Sequence, residues 1–508
     1  MLMKFNVRDI VEETGVFDRS RSLPIVVILG VATILRLYQL GTESLWIDEM
    51  LSILGADNPP AVRPLYYIFL RVWMLLGQSD AWLRGLSVLF GVGCVFLTYE
   101  LARQAVGELT GLVSAAILAL SPVFIHHSQE VRMYTLIPFL SLLGTLALSR
   151  TFEHPNHASL SVWIVARIAL LLSNANNVLI LFPDMLLGAW RFRQKKHWLF
   201  SFGTGLVTIG LSFLPVFCIL SFGGASQQFM ETQVSDYAKP GILQIAGMLL
   251  QYVVYWPLRF LLQSNQIVLN NSELGDASLL SRVLQPNAFP LFFYGAFLMV
   301  LAGLLCLALV AVRTDSRSSR LLDIAVWGIL PAAAMLAISY LKKPLWFPRY
   351  LMFAGPYILI LIAAGLTVVW HWRKVAAIAI GVFYAIAVGG GLFDYYTHLY
   401  RDDWQGVART IAENEQAGEI VIFHSISKFA DLSLPRYYRG SLPIYHLDKP
   451  ATSEPLTQSF IEEDLGEIVP ARSGGWVVCW LACREEGDVD LIFKTTFGSE
   501  FEVREPET

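Results

Sequence analysis

Long apolar runs, separated by short polar stretches, fill the chain between residues 23 and 393. A helix that crosses a bilayer needs roughly 20 mostly apolar residues. That measure predicts spans at 23–40, 82–102, 109–127, 133–151, 160–174, 177–192, 199–222, 289–311, 321–341, 350–370 and 373–393, about eleven in all. Two further runs do not read as spans. Residues 64–77 mix aromatics and Arg71 with leucines, and residues 243–262 are again apolar and aromatic, which suits helices lying in the membrane interface. Beyond residue 393 the pattern becomes that of a small soluble unit. It predicts a helix at 404–416, a buried strand at 419–424, a helix around 428–438, and strands at 442–445, 476–481 and 489–494. The β-α-β order implies parallel pairing.

The expected fold is a polytopic α-helical membrane protein with a small C-terminal extracytoplasmic α/β domain. Residues 1–22 form an N-terminal segment, 23–393 the transmembrane domain with external loops 41–81 and 223–288, and 394–508 the α/β domain. Composition agrees: 55% of the 508 residues are hydrophobic and 15% charged, against about 25% charged in soluble domains. The net charge of -4, with no basic arm, argues against a nucleic-acid partner.

Alternate loops are basic: Lys4, Arg8, Arg19 and Arg21; Arg103; Arg150; Arg191, Arg193, Lys195 and Lys196; Arg313, Arg317 and Arg320; Arg373 and Lys374. Short basic loops stay on the cytoplasmic side. The N-terminus is therefore expected inside, and an odd number of spans puts the α/β domain outside. No small-residue cleavage site follows the first apolar run, so that run is expected to act as an uncleaved anchor. Of the five cysteines, Cys94, Cys218 and Cys306 fall in spans. Cys479 and Cys483 fall in the outer domain, where they are either free thiols or a bridge.

The chemistry collects on the outer side. Asp48 and Glu49 stand just past the first span, and ionisable groups at a membrane edge default to function. The same loop holds Arg63, Tyr66, Tyr67 and Asp80, with Arg84 close behind. The second external turn reads His126-His127-Ser128-Gln129-Glu130-Val131-Arg132-Met133-Tyr134. Its two histidines read as interface residues rather than ligands. Lys342, Lys343 and Arg349, followed by Tyr350, make a turn that is basic on the side where the topological rule disfavours cations. An anionic lipid head group fits such cations, and a hydroxyl acceptor in need of a base fits the acids. Asn270-Asn271-Ser272 matches a glycosylation acceptor.

Several of these stretches resemble the membrane glycosyltransferases of family 39, relatives of the protein O-mannosyltransferases and of the aminoarabinose transferase that modifies lipid A. They are Trp46-Ile47-Asp48-Glu49, Pro64-Leu65-Tyr66-Tyr67, Gly77-Gln78-Ser79-Asp80 through Gly91, Ser121-Pro122 with Ser128 to Tyr134, Arg349-Tyr350, and Asp402-Asp403-Trp404-Gln405-Gly406. The likeness covers residues 30–150, and more loosely 340–430. Two positions depart from it: Asp80 where many members carry Glu, and Arg63-Pro64 where many carry two prolines.

The resemblance implies a C-type glycosyltransferase in a bacterial inner membrane. Its donor would be a polyprenyl-phosphate sugar, its acceptor a lipid, glycan or protein, and its active site would face the periplasm. In that frame Asp48 is the expected general base, with Glu49 binding the acceptor or holding Asp48. Arg349, with Lys342, Lys343, Arg63 and Tyr350, would bind the donor phosphate. Tyr66, Tyr67, Asp80, Arg84, Gln129, Glu130, Arg132 and Tyr134 would line the pocket. No cofactor is expected, and the cations suffice without a metal. Asp48 and Arg349 are expected to share one cavity. The alternative is a transporter or flippase, which would carry acids or broken helices near mid-membrane.

Overall fold

The structure, a computed structural model, describes residues 19–222, 240–253, 288–311, 318–341, 346, 348–398, 401–425, 432–447, 457–465, 474–480 and 487–497. Lys342, Lys343, Cys483 and the Asn270 sequon lie outside them. The chain divides into two compact units, Met1–Leu40 with Ala56–His398, and Gly41–Gly55 with Leu399–Thr508.

Over its described residues the first unit is built of helices. In chain order it contains α1 (Arg19–Leu37), α3 (Pro64–Met74), α4 (Asp80–Ala105), α5 (Glu108–Leu120), α6 (Pro122–Ser128), α7 (Leu136–Glu153), α8 (His157–Ser173), α9 (Leu181–Phe192) and α10 (Lys196–Phe222). There follow α11 (Ile242–Val253), α12 (Ala288–Ala311), α13 (Ser318–Leu341), α14 (Gly355–Trp372) and α15 (Lys374–Thr397), while α2 (Ile47–Asp57) begins in the second unit. Each apolar run expected to span contains a helix among its described residues. A helix keeps every backbone group bonded within its own segment inside lipid. Among the described residues six helices, α4, α7, α10, α13, α14 and α15, are long and apolar enough to cross a membrane, and α5 with α6 makes a seventh if that bent pair is one span. The run 177–192 divides into a 3-10 turn, Ala175–Ile180, and α9.

Lipid-facing surface is visible in the side chains. On α15, Ile378, Val382 and Ile386 repeat every fourth residue and are exposed. Val207 and Leu211 do the same along α10. Between helices, small residues allow close approach: a Cβ on Gly365 of α14 would fall 2.1 Å from the Leu304 carbonyl oxygen of α12.

Ionisable groups also occur inside the bundle. Arg167 and Asp184 are fully buried and paired at 2.6 Å. Trp163 and Trp327 each donate to Asp184 at 2.8 Å, and Arg167 also reaches the Ser141 carbonyl and Thr145. Arg36 donates to Ser128 Oγ and to the carbonyls of Ala32, Leu118 and Ala119. The sequence reading did not anticipate these bonds, because their partners are backbone carbonyls and residues distant in sequence.

The second unit is an α/β layer. Its sheet has three parallel strands in the order β2-β1-β3, where β1 is Glu419–Ser425, β2 Ile444–Leu447 and β3 Gly474–Trp480. Helices α16 (Trp404–Asn414) and α17 (Ser433–Tyr437) cover one face, and α18 (Gln458–Leu465) and α19 (Gly487–Phe497) the other. Side chains of β1 alternate between the two: Val421 and Phe423 join Trp404 and Leu434, while Ile420 and Ile422 join Ile461 and Ile492. A strand covered on both faces reads as a continuous apolar run, which is why 419–424 was legible. The expected strand at 489–494 is instead part of α19. Asp488 and Asp490 favour the first turn of a helix, Lys494 pairs with Asp490 one turn on, and the buried apolar residue Ile492 anchors it. Cys479 is disulfide-bonded.

Candidate functional site

Two groups of expected site residues fall in different units, and each is described within its own.

In the second unit, Asp48 and Glu49 occupy the first turn of α2. Glu49 is buried; its Oε2 accepts from the Trp46 backbone N–H at 3.3 Å and faces Arg401 Nε at 3.6 Å. A carboxylate three residues into a helix that reaches back to the first backbone N–H is half of a capping box. Glu49 therefore holds the turn. Asp48 beside it is half-buried. The segment is docked on the α/β layer: Ile47 packs on the Trp404 core, Leu45 N–H donates to Tyr437 at 2.7 Å, and Glu43 pairs with Arg401 at 3.0 Å. A composition break near residue 393 could not reveal that residues 41–55 fold with the tail.

In the first unit, the site residues collect where the bent pair α5–α6 ends. Pro122 lacks the N–H needed to continue α5 and starts α6 instead, and the axes bend by 61°. The chain then turns tightly, with Arg132 N–H donating to the Glu130 carbonyl at 2.8 Å. The turn is clamped. Gln129 donates to the carbonyls of Arg36 and Tyr38 at 3.0 and 2.8 Å and accepts from Tyr395 at 2.6 Å. Ser87 ties the Arg132 carbonyl to Tyr66.

Between these clamps Glu130 is buried, with Oε1 3.0 Å from His126 Nε2 and Oε2 3.0 Å from His127 Nδ1. Burial alone would raise its pKa, but the two imidazoles outweigh burial and hold the carboxyl well below the usual carboxylate range. Tyr134 packs on His127 at 4.8 Å, and Arg132 sits over Tyr134 at 5.6 Å. Arg349 stacks over Tyr350 at 5.3 Å, and its charge acts on both His127 and Tyr134. Burial raises the Tyr134 phenol above its ordinary value despite the opposing pull of Arg132 and Arg349.

The structure thus brings Glu130, Arg132, Tyr134 and Arg349 together and adds His126 and His127, which the sequence reading set aside. Their signal was present: an i, i+4 and an i, i+3 step onto one carboxylate. Of the other expected pocket residues, Arg84 is buried and donates to the Leu40 carbonyl at 2.9 Å, and Asp80 begins α4; Arg63, expected at the donor phosphate, precedes α3. Tyr66 and Tyr67 are buried edge to face. A cavity of ≈ 520 Å³ lined by His371, Trp372 and Arg373 lies at the other end of α14 from Arg349, about 27 Å along the helix axis, and takes no part.

The sequence profile of the dolichyl-phosphate-mannose-protein mannosyltransferases matches residues 57–220. No curated protein matches the sequence. Among solved structures, ArnT from Cupriavidus metallidurans in the apo state is similar with a TM-score of 0.51 at 14% identity, covering 83% of this chain and 85% of that one. The same protein bound to undecaprenyl phosphate gives 0.52 at 12% identity, with the same coverage of 83% and 85%. The archaeal oligosaccharyltransferase AglB from Archaeoglobus fulgidus, in complex with an inhibitory peptide and a dolichol-phosphate, gives 0.50 at 12%, covering 86% of this chain and 62% of that one. The fold is therefore the C-type glycosyltransferase fold of these membrane proteins, built around apolar helices.

Proposed function

We propose that the protein is an integral-membrane glycosyltransferase that moves a sugar from a polyprenyl-phosphate donor to a hydroxyl acceptor, with inversion, on the extracytoplasmic face of a bacterial inner membrane. The observation that carries this reading is the fold shared with an ArnT that holds undecaprenyl phosphate. The disulfide at Cys479 favours an oxidising compartment for the α/β layer.

The chemistry asks for a cation where the donor's phosphate gains charge as the glycosidic bond breaks. Arg349, with Tyr350, Arg132 and Tyr134 around it, supplies one whose fork gives two hydrogen bonds to phosphate. Asp48, in the first turn of α2, is assigned the proton of the acceptor hydroxyl as that oxygen attacks the anomeric carbon. Glu49 is assigned to holding the turn that carries it. Transport is the weaker reading, because the buried charges Arg167 and Asp184 are locked in a bonded network rather than arrayed along a path.

The test is transfer by the purified protein in lipid nanodiscs, read as release of polyprenyl phosphate from synthetic donors. Mass spectrometry of envelope glycans with and without the gene names sugar and acceptor. Asp48→Asn keeps the shape and removes the base; turnover should fall about 10²–10⁴-fold. Native turnover in that variant would remove Asp48 from the mechanism.

A further inference from the structure

Nε2 of His126, Nδ1 of His127 and a carboxylate oxygen of Glu130 all lie within 4.8 Å of one another. The two histidines stand on the last turn of α6, and the tight turn after it folds Glu130 back over both rings. The residues on either side are pinned. Ser128 bonds Arg36 and the Phe124 carbonyl, and Gln129 is clamped by its three bonds. Each Glu130 oxygen faces a different imidazole nitrogen at 3.0 Å.

We propose that His126, His127 and Glu130 form a binding site for a zinc-class divalent ion, and its occupancy is read apart from the transfer reaction proposed above. Two imidazoles and one carboxylate are a zinc donor set, with ligand bonds of about 2.0–2.2 Å and a fourth position left for water or another oxygen. Tetrahedral geometry at such bonds separates ligand atoms by about 3.3 Å; each imidazole is already 3.0 Å from one Glu130 oxygen, and the three ligand atoms lie within 4.8 Å of one another. Small side-chain rotations complete the set, with no movement of the pinned backbone. The His126 side chain keeps 16% of its surface open, which gives an ion a way in.

Magnesium and calcium do not fit, since they take about six or more oxygen ligands. The site offers a single carboxylate. The charges nearby point the same way. Arg349 acts on His127, and Arg132 sits over the Tyr134 ring that packs on it. Both weaken any dication, and only nitrogen-ligand affinity offsets them. The expectation of metal independence rested on the supply of cations, with the two histidines read as interface residues.

The test uses the full chain without a polyhistidine tag, in nanodiscs, stripped with chelator and then equilibrated with zinc chloride. Mass spectrometry of the metal content should find about one zinc per chain after gel filtration. Cobalt in its place should give the visible absorption of a nitrogen- and oxygen-ligated ion. His127→Asn and Glu130→Gln should each weaken uptake roughly 10-fold or more, and zinc should raise the unfolding temperature of the native chain but not of these variants. If His127→Asn does not fold, His126→Gln is read in its place. His157→Asn, at the His157–His197 contact elsewhere, should bind as the native chain does. A stripped native chain that takes up no zinc, or uptake undiminished in His127→Asn, His126→Gln and Glu130→Gln, overturns the site.

Discussion

The two ends of the helical unit take carboxylates out of water in different ways. At one end Glu100 pairs with Arg103 at 2.9 Å and Arg150 at 3.9 Å, Glu153 with Arg320 at 2.8 Å, and Asp323 with Arg191 at 2.5 Å. Arginine keeps its proton under all ordinary conditions, so the cation of each pair is permanent. At the other end the buried Glu130 is held by two histidines, which exchange protons near neutral pH and bind metals. There the arginines sit over aromatic rings instead, Arg132 over Tyr134 and Arg349 over Tyr350. The first arrangement fixes helix ends. The second keeps a carboxylate, two imidazoles and two guanidinium groups beside one another, a set that can bind anions or cations and move protons.

Between the ends, Arg167–Asp184 shows what an arginine pair is worth when fully buried. Asp184→Ala would leave a guanidinium and two indole N–H groups without their acceptor. The expected loss is about 3–5 kcal/mol of stability, measured by denaturant unfolding of the purified protein. A loss below about 1 kcal/mol would place the pair with exposed ones and remove it as a closure between α8 and α9.

Arg349→Ala is the next largest effect, and it separates the two kinds of end. Turnover should fall about 10²–10³-fold with the unfolding temperature unchanged, and Arg349→Lys should recover only part, since an ammonium lacks the planar fork. The opposite outcome, native turnover with a lower unfolding temperature, would mean that both ends are built for stability.

Much of this division could be read from residue order. Arg103, Arg150 and Arg320 come from separate basic loops assigned to one side, and they do meet at one end. The strand at 419–424 was legible because it is buried on both faces, and α3 because aromatic residues repeat along it. Pairings set by distant packing were not legible. Nothing near Arg36 in sequence announces the carbonyls of Leu118 and Ala119. Nothing in 41–55 announces that Ile47 completes a core with Trp404 and Phe423. Residues 489–494 misled because apolar residues in a short run fit either period, and the charges flanking them decided for helix. Gln129 and Arg84 were expected at pocket positions, yet the Gln129 amide nitrogen and an Arg84 guanidinium nitrogen bond backbone carbonyls.

Gln129 gives the third prediction. Gln129→Ala frees the carbonyls of Arg36 and Tyr38 and the Tyr395 hydroxyl. The cost should be about 1–3 kcal/mol, and Glu130 should shift with its neighbour. A variant with native stability and native turnover would show that the turn does not depend on this clamp.

The smallest effect belongs to the opposite end. Arg320 bonds Glu153 at 2.8 Å and the Gln104 carbonyl at 2.7 Å, but its side chain is 44% exposed. Solvent screens such a pair, so Arg320→Ala should cost only about 0.2–1 kcal/mol, and turnover should not change. Because the pair is exposed, raising salt from 0.05 to about 0.5 M should shrink the difference between variant and native chain, as the Debye length falls from roughly 14 to 4 Å. Salt should leave the cost of Asp184→Ala untouched, since that pair is sealed from ions. A cost at Arg320 as large as at Asp184, insensitive to salt, would mean that arginine pairs at this end carry the helices as the buried one does, and that the contrast between the ends is one of burial rather than of chemistry.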